Sequence, residues 1–395
     1  MLLACSLALA FDTKKVPSQD IFLDDRQVKS YASTVEFAVV GNTRPAKPGE
    51  AEATKRVATK GATEAIIADI SATIQEGRTE FVVLLGNLVP GSSLAGWKAF
   101  TKTWVEVISG SEPPNEGKMR TRVLPVAGED DAAGDDRYTG MGAAFPGMGA
   151  DIGFARVATW YYVDLEVGGH TWRLLTVDTG KEILGSRWDE QVAFVEKVLT
   201  EDQDAYDSLL VFMYRPLMTL AFGQKSNVNE APKELLDLIE AETKVGALKA
   251  VFAGKSTTNE VFLPHGKYGE LYVTAGGGGA PADTPERWGH AEAAGLTDVK
   301  LETTFDFAIL REFERQAELR KCNPVAMDHA KSAESWTGFP GAYEASCMPL
   351  QGWWDVSLTG EKMALSYRQL QPDNTLKGIY TAAYSGNKLG WTIGK

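Results

Sequence analysis

A chain of 395 residues that is 44% hydrophobic and 24% charged can bury a sizeable core, and lies outside the compositions of disordered tails and membrane helix bundles. Its 40 basic and 53 acidic residues leave a formal net charge of -13 with no Lys/Arg-rich stripe, which argues against nucleic-acid binding and against docking on anionic lipid. Only four histidines occur, His170, His265, His290 and His329, so chemistry built on clustered imidazoles has little to draw on.

The chain starts MLLACSLALAFD, and its first ten residues carry no charge and end in the small-x-small triplet Ala8, Leu9, Ala10. Residues 1–10 read as a secretory signal remnant, which implies export to a periplasmic, cell-surface or extracellular location. A second reading takes LLAC as a lipobox that places a lipid anchor on Cys5, and a third is a short strand or helix end. No later run reaches 18 consecutive apolar residues, so no integral membrane segment is expected.

VEFAVV (35–40) predicts a buried strand, and Ile66, Ile70 and Ile74 within 50–75 predict a helix covering it. FVVLL (81–85) is a second strand, Trp97, Phe100, Trp104 and Ile108 mark one face of a helix over 96–108, and RVLPV (122–126) is a third strand. ATWYYVDLEVGGHTWRLLTVD (158–178) predicts a hairpin whose Trp160, Tyr161, Tyr162 and Trp172 belong to a sheet face and core. SRWDEQVAFVEKVL then predicts a helix capped by Ser186, followed by strand segments at 207–214, 247–254, 259–263 and 269–279, with a helix over 231–242 between the first two. A helix over 303–317 and hairpins at 353–368 and 377–384 complete the series, with residues 385–395 left as a tail. The alternation describes one mixed α/β domain over 28–384.

Of the three cysteines, Cys322 and Cys347 remain once residues 1–10 are removed. In an exported protein they predict a disulfide closing an insertion at 322–347, worth about 3.5 kcal/mol by loop-closure entropy. Two unrelated buried thiols are the alternative.

Five strand-end loops form a series: VVGNTRP (39–45), LLGNLVP (84–90), PVAGEDD (125–131), FMYRPL (212–217) and VFAGKSTTNE (251–260). With AAFPGMG, LLTVDTG and LYVTAGGGGAP between and after them, the series resembles the calcineurin-like metallophosphoesterase family. The resemblance implies a four-layer αββα sandwich. It also implies a site that in the family holds two divalent metal ions, which clamp phosphoryl oxygens and activate water.

Matched position by position, the ligands of that site are replaced. Asn42 stands at the first metal-binding Asp and Arg44 at the His that sometimes follows it; Asn87 stands at the bridging Asp. Glu129 replaces the ligand Asn and Asp130 the catalytic His, while Asp131 keeps the trailing acid. Tyr214 replaces the fourth-loop His, and Lys255 and Thr257 replace the two histidines of the fifth. Neutral amides and fixed positive charges do not hold a dinuclear cation centre, so no catalytic residue, metal or cofactor is expected.

The reading is a non-catalytic exported pseudophosphatase that binds a protein or cell-surface partner or fills a structural role. One alternative is a divergent metal-dependent phosphoesterase using the acids around 129–136, Asp135 and Asp136 included. Another is an anion-binding module using Arg44 and Lys255. Because ligands are lost where opposite charges arrive, Arg44 or Lys255 is expected to pair with Glu129 or Asp130.

Overall fold

The computed structural model describes residues 28–45, 61–109, 122–132, 139–145, 159–201, 203–216, 230–255, 259–262, 271–280, 351–370, 375–384 and 391–394. Two seven-stranded sheets form its centre. The first contains β1 (Val28–Tyr31), β5 (Tyr161–Val167), β6 (His170–Thr176), β7 (Ser208–Met213), β8 (Leu248–Ala253), β10 (Leu271–Ala275) and β9 (Asn259–Phe262), in that spatial order. The second runs β14 (Trp391–Gly394), β13 (Leu376–Tyr384), β12 (Lys362–Leu370), β11 (Gly352–Thr359), β2 (Thr34–Gly41), β3 (Phe81–Leu85) and β4 (Val123–Val126).

Strands β2, β3 and β4 are mutually parallel, as are β6, β7, β8 and β10. Parallel strands covered on both faces need apolar side chains at successive positions, which is why FVVLL and SLLVFM are buried throughout. The sheets meet through aromatic rings. Phe37 stacks on Phe81 at 4.8 Å in the second sheet and Phe212 on Phe252 at 5.2 Å in the first, and Phe37 meets Phe212 edge-on at 6.3 Å across the gap.

Helices cover the outer faces. Helix α1 (Ala62–Gln75) buries Ile66, Ile67, Ile70 and Ile74 over the second sheet, and its Asp69 accepts hydrogen bonds from Trp353 and Arg368 on β11 and β12. Beside it, α2 (Leu94–Phe100) passes through a π turn (Thr101–Val105) into α3 (Glu106–Ser109). After the short α4 (Thr139–Ala144) and α5 (Lys181–Leu184), α6 (Arg187–Thr200) packs Trp188, Val195, Val198 and Leu199 inward. Helix α7 (Glu230–Glu242) lies against α6. This is the αββα arrangement. Ser186, expected to cap α6, is itself helical and makes no capping hydrogen bond.

A fully buried charge pair fastens α6 to the first sheet. Arg173 on β6 forms a two-pronged bond with its cross-strand partner Asp164, both contacts at 2.8 Å, and donates to the Val198 carbonyl of α6. The Tyr162 and Tyr206 rings lie 4.3 and 4.5 Å from its guanidinium. Trp160, Tyr161 and Trp172 are buried, so the aromatic run is core and sheet face.

Four sequence expectations change or fall outside the description. The tail at 385–395 contains β14, which pairs antiparallel with β13 and extends the second sheet, so that part of the boundary is corrected. The disulfide expectation is corrected as well: no disulfide is present among the described residues, and Cys322, Cys347 and the insertion between them lie outside those residues, so the bridge is withdrawn. The segment 1–10 with Cys5, and the helix expected over 303–317, also lie outside them.

Replacing Arg173 by Met leaves the Asp164 carboxylate buried without its partner, and is expected to cost about 3–5 kcal/mol in equilibrium urea unfolding. The double variant R173M/D164L should recover most of that loss, since an apolar pair carries no desolvation penalty.

Candidate functional site

Because the parallel strands of each sheet end on the same side, their following loops gather at one edge. Asn42–Arg44 follow β2, Gly86–Leu88 follow β3, Gly128–Asp131 follow β4, Tyr214–Arg215 follow β7, and Gly254–Lys255 follow β8. Asn42, Asn87 and Lys255 hold left-handed backbone, with φ of 53, 50 and 49°. Asn tolerates that region, whereas a long side chain such as Lys rarely adopts it and is held there by its surroundings.

Backbone and amide contacts tie the loops together. The Arg44 N–H donates to the Asn87 carbonyl at 2.9 Å, the Ala280 N–H to the Asn42 carbonyl at 3.1 Å, and the Asp130 N–H to the Asn87 side-chain oxygen at 2.9 Å. Asp131 is wholly buried. Its carboxylate accepts from the backbone N–H groups of Leu88 (2.7 Å), Val89 (3.1 Å) and Gly128 (2.8 Å), so it splices the third loop to the second.

The remaining charges pair within the second sheet's loops at Arg44–Asp130 and join the two sheets at Glu129. Arg44 Nε lies 2.9 Å from Asp130 Oδ2, and Lys255 Nζ lies 2.7 Å from Glu129 Oε1. Arg215 donates to the same Glu129 oxygen from Nε at 2.8 Å and to Glu182 on α5, while its backbone N–H donates to Thr179 Oγ1. Three cations thus face three carboxylates, Glu129, Asp130 and Glu182. Burial alone raises the Glu182 carboxyl, but the Arg215 hydrogen bonds and charge outweigh it and hold it below its usual range. The Tyr214 ring fills the space between the loops, so close to Gly86 that a Cβ there would sit 2.3 Å from it. Burial, then the carboxylates of Glu129, Asp130 and Asp131, push its phenol well above the usual range, so it stays protonated.

The structure therefore brings together Asn42, Arg44, Asn87, Glu129, Asp130, Asp131, Tyr214 and Lys255. Thr257, Asp135 and Asp136 lie outside the described residues. Sequence reasoning missed Arg215 and Glu182. The Arg-Pro pair after β7 was a signal for the first; nothing in KEIL marked the second. Among the described residues no group of three or more His, Cys, Asp or Glu side chains is placed to hold a metal ion.

A second constellation sits at the opposite end of the first sheet. His170 Nε2 lies 2.9 Å from Ser208 Oγ, and Nδ1 lies 3.8 Å from Asp207. Ser208 is 1% exposed at the start of β7, so no substrate reaches its hydroxyl. Asp207 also accepts from the Thr171 N–H, which makes the group a brace between β6 and β7.

No family model matches the chain, and no curated protein matches it. Among solved structures, it is similar to GAP50, the anchor in the inner membrane complex of Plasmodium, with 13% identity, 88% of each chain covered and a TM-score of 0.50. It is also similar to a dimetal phosphatase from Danio rerio (11% identity, 88% of this chain and 99% of that one, TM-score 0.49). A third is PhoD (9% identity, 96% and 73%, TM-score 0.49). What is shared is the fold, the two-sheet sandwich of calcineurin-like phosphoesterases.

Burial pushes the Asp131 carboxyl from 3.8 up to about 7, against the three amide hydrogen bonds that pull it down. A carboxyl that keeps its proton longer when folded contributes most at low pH, and that contribution is lost as the pH rises from about 4 toward 7. Urea unfolding should show wild type losing up to about 4 kcal/mol relative to D131N across that window. A difference independent of pH would overturn the assignment.

Proposed function

We propose that this chain is a non-catalytic pseudophosphatase, a calcineurin-like sandwich whose former metal site has become a structural junction, acting as an exported binding or structural module. The observation that carries this reading is the ion-pair network: the loops that in the resembled family surround two cations here place Arg44, Lys255 and Arg215 against Asp130, Glu129 and Glu182. Divalent cations work by binding anionic oxygen and polarising phosphoryl groups. Here Glu129 and Asp130 already neutralise side-chain cations, and Asp131 is taken up by three backbone amides.

The same pairing argues against the phosphoesterase alternative and against an anion site, since Arg44 and Lys255 would have to leave carboxylates 2.9 and 2.7 Å away to meet an incoming phosphate. The Plasmodium protein of the same fold is an anchor, and a role without turnover on this scaffold agrees with that. Export rests on the apolar segment 1–10. Among the described residues no helix is long and apolar enough to cross a membrane.

Purified full-length protein is expected to show no hydrolysis of phosphomonoesters or phosphodiesters that depends on added Mn, Zn or Fe. It should also carry no stoichiometric metal by elemental analysis, and its melting temperature should not change with EDTA. Metal-dependent turnover that disappears in D130N would overturn the proposal; turnover unaffected by that substitution identifies a contaminating enzyme.

A further inference from the structure

Helix α1 is tied to the second sheet through one carboxylate. Asp69 accepts from Arg368 Nε and Nη2 on β12, both at 2.8 Å, and from Trp353 Nε1 on β11 at 2.9 Å. The Arg368 guanidinium also lies 5.4 Å from the centre of the Trp353 ring. Ile67 and Ala68, beside Asp69 in the chain, line a cavity of about 670 Å³ whose other walls include Leu88, Phe100 and Trp104. The anchor therefore also positions one wall of that cavity.

A second carboxylate occupies the same seam without a hydrogen bond. Side chains alternate between the faces of a strand, so Asp355 on β11 shares with Trp353 the face toward α1. It stands opposite Ala38 on β2 and Ser366 on β12, and its Oδ1 is enclosed with no hydrogen-bond partner among the described residues. The charged groups of the seam are Glu36 on β2, Asp69 on α1, Arg368 on β12, and Glu76 and Arg78 just after α1. Glu80, whose N–H donates to the Glu36 carbonyl at 2.7 Å, stands immediately before β3. Both arginines are already engaged, Arg368 by Asp69 and Arg78 by Glu76, the latter at 2.7 Å from Nε. Burial, then the Glu36 charge, push the Asp355 carboxyl from 3.8 up to about 6, against the pull of Arg368 and Arg78.

From this arrangement we propose that the seam is a proton-operated switch on the attachment of α1. With its proton, Asp355 leaves Arg368 to Asp69, and α1 stays fastened to β11 and β12. Without it, Asp355 is a second anion that competes for the same guanidinium and repels Asp69, and α1 is held less tightly. A carboxyl that keeps its proton longer in the closed seam than in the open one stabilises closure at low pH, and that contribution is lost as the pH rises from about 4 through about 6. The switch uses none of the loop-junction residues, so it stands or falls separately from the pseudophosphatase reading.

The test is amide hydrogen exchange of the full chain between about pH 4.5 and pH 7.5, corrected for the intrinsic exchange rate, with the α6 amides on the other outer face as internal reference. Opening of α1 relative to α6 should rise about tenfold or more across that range in wild type, with a midpoint at about pH 6. The Asp131 titration, which acts on global unfolding, affects both helices and cancels in the ratio. D355N should hold α1 at its low-pH protection throughout. E36Q removes the neighbouring like charge and should move the midpoint to lower pH while keeping the transition. Equal pH dependence in α1 and α6, a transition that persists in D355N, or a midpoint unmoved by E36Q would overturn the proposal; if D355N does not fold, the E36Q midpoint decides.

Discussion

The carboxyl edges of the two sheets touch backbone to backbone, with no space for a side chain between them. A Cβ on Gly41, the last residue of β2, would sit 1.9 Å from the carbonyl oxygen of Ala275 on β10, and one on Gly254, after β8, would sit 1.9 Å from that of Leu85 on β3. The Gly278 N–H donates to the Gly41 carbonyl at 2.8 Å in the same junction. Glycine is needed there because any other residue would drive the sheets apart. Once the strands are held that closely, the loops leaving them have no choice about proximity. Lys255 and Arg215 from the first sheet meet Glu129 from the second within hydrogen-bond distance.

Such a junction has to be electrically balanced, and two chemistries can balance it. Carboxylates on both sides can share divalent cations, or fixed cations on one side can meet fixed carboxylates on the other. The second arrangement has different consequences. Partly exposed ion pairs add little net stability, because desolvation and side-chain entropy offset most of their attraction. The junction therefore rests on the amide hydrogen bonds to Asp131 and Asn87 and on the buried Tyr214 ring, with the ion pairs supplying charge balance and register. The left-handed backbone at Asn42, Asn87 and Lys255 fits this account. Loop conformation is set by the glycine contacts and amide bonds around it, so it holds whatever side chain projects from it.

Much of this was legible in the sequence, for reasons that can be stated residue by residue. Unbroken apolar runs such as FVVLL and SLLVFM mark parallel strands buried on both faces, and their ends locate the loops. The loop residues then name the charges, and Arg44–Asp130 and Lys255–Glu129 follow from opposite signs arriving in loops that one edge collects. Interactions without a local pattern were not legible. Arg215 reaches Glu182 across a separation that no periodicity encodes. Asp131 illustrates the limit from the other side. Its type was read as a surviving acid of a metal site, but three inward-pointing N–H groups make it a splice between loops, and only coordinates distinguish those roles. The short strands β1 and β14 escaped because VKSY and WTIG contain no unbroken apolar run.

The distribution of charge also bears on where recognition can occur. The chain as a whole is strongly acidic, yet the junction pairs its cations and carboxylates locally, leaving no excess of either sign to steer a phosphate or a metal ion toward it. A formal net charge of -13 discourages polyanions. An apolar cavity lies between the helices over the second sheet, adjacent to the junction. Shared loops at the ends of β2 and β3 position both, since Thr43 and Leu88 line the cavity and Arg44 and Asn87 belong to the junction.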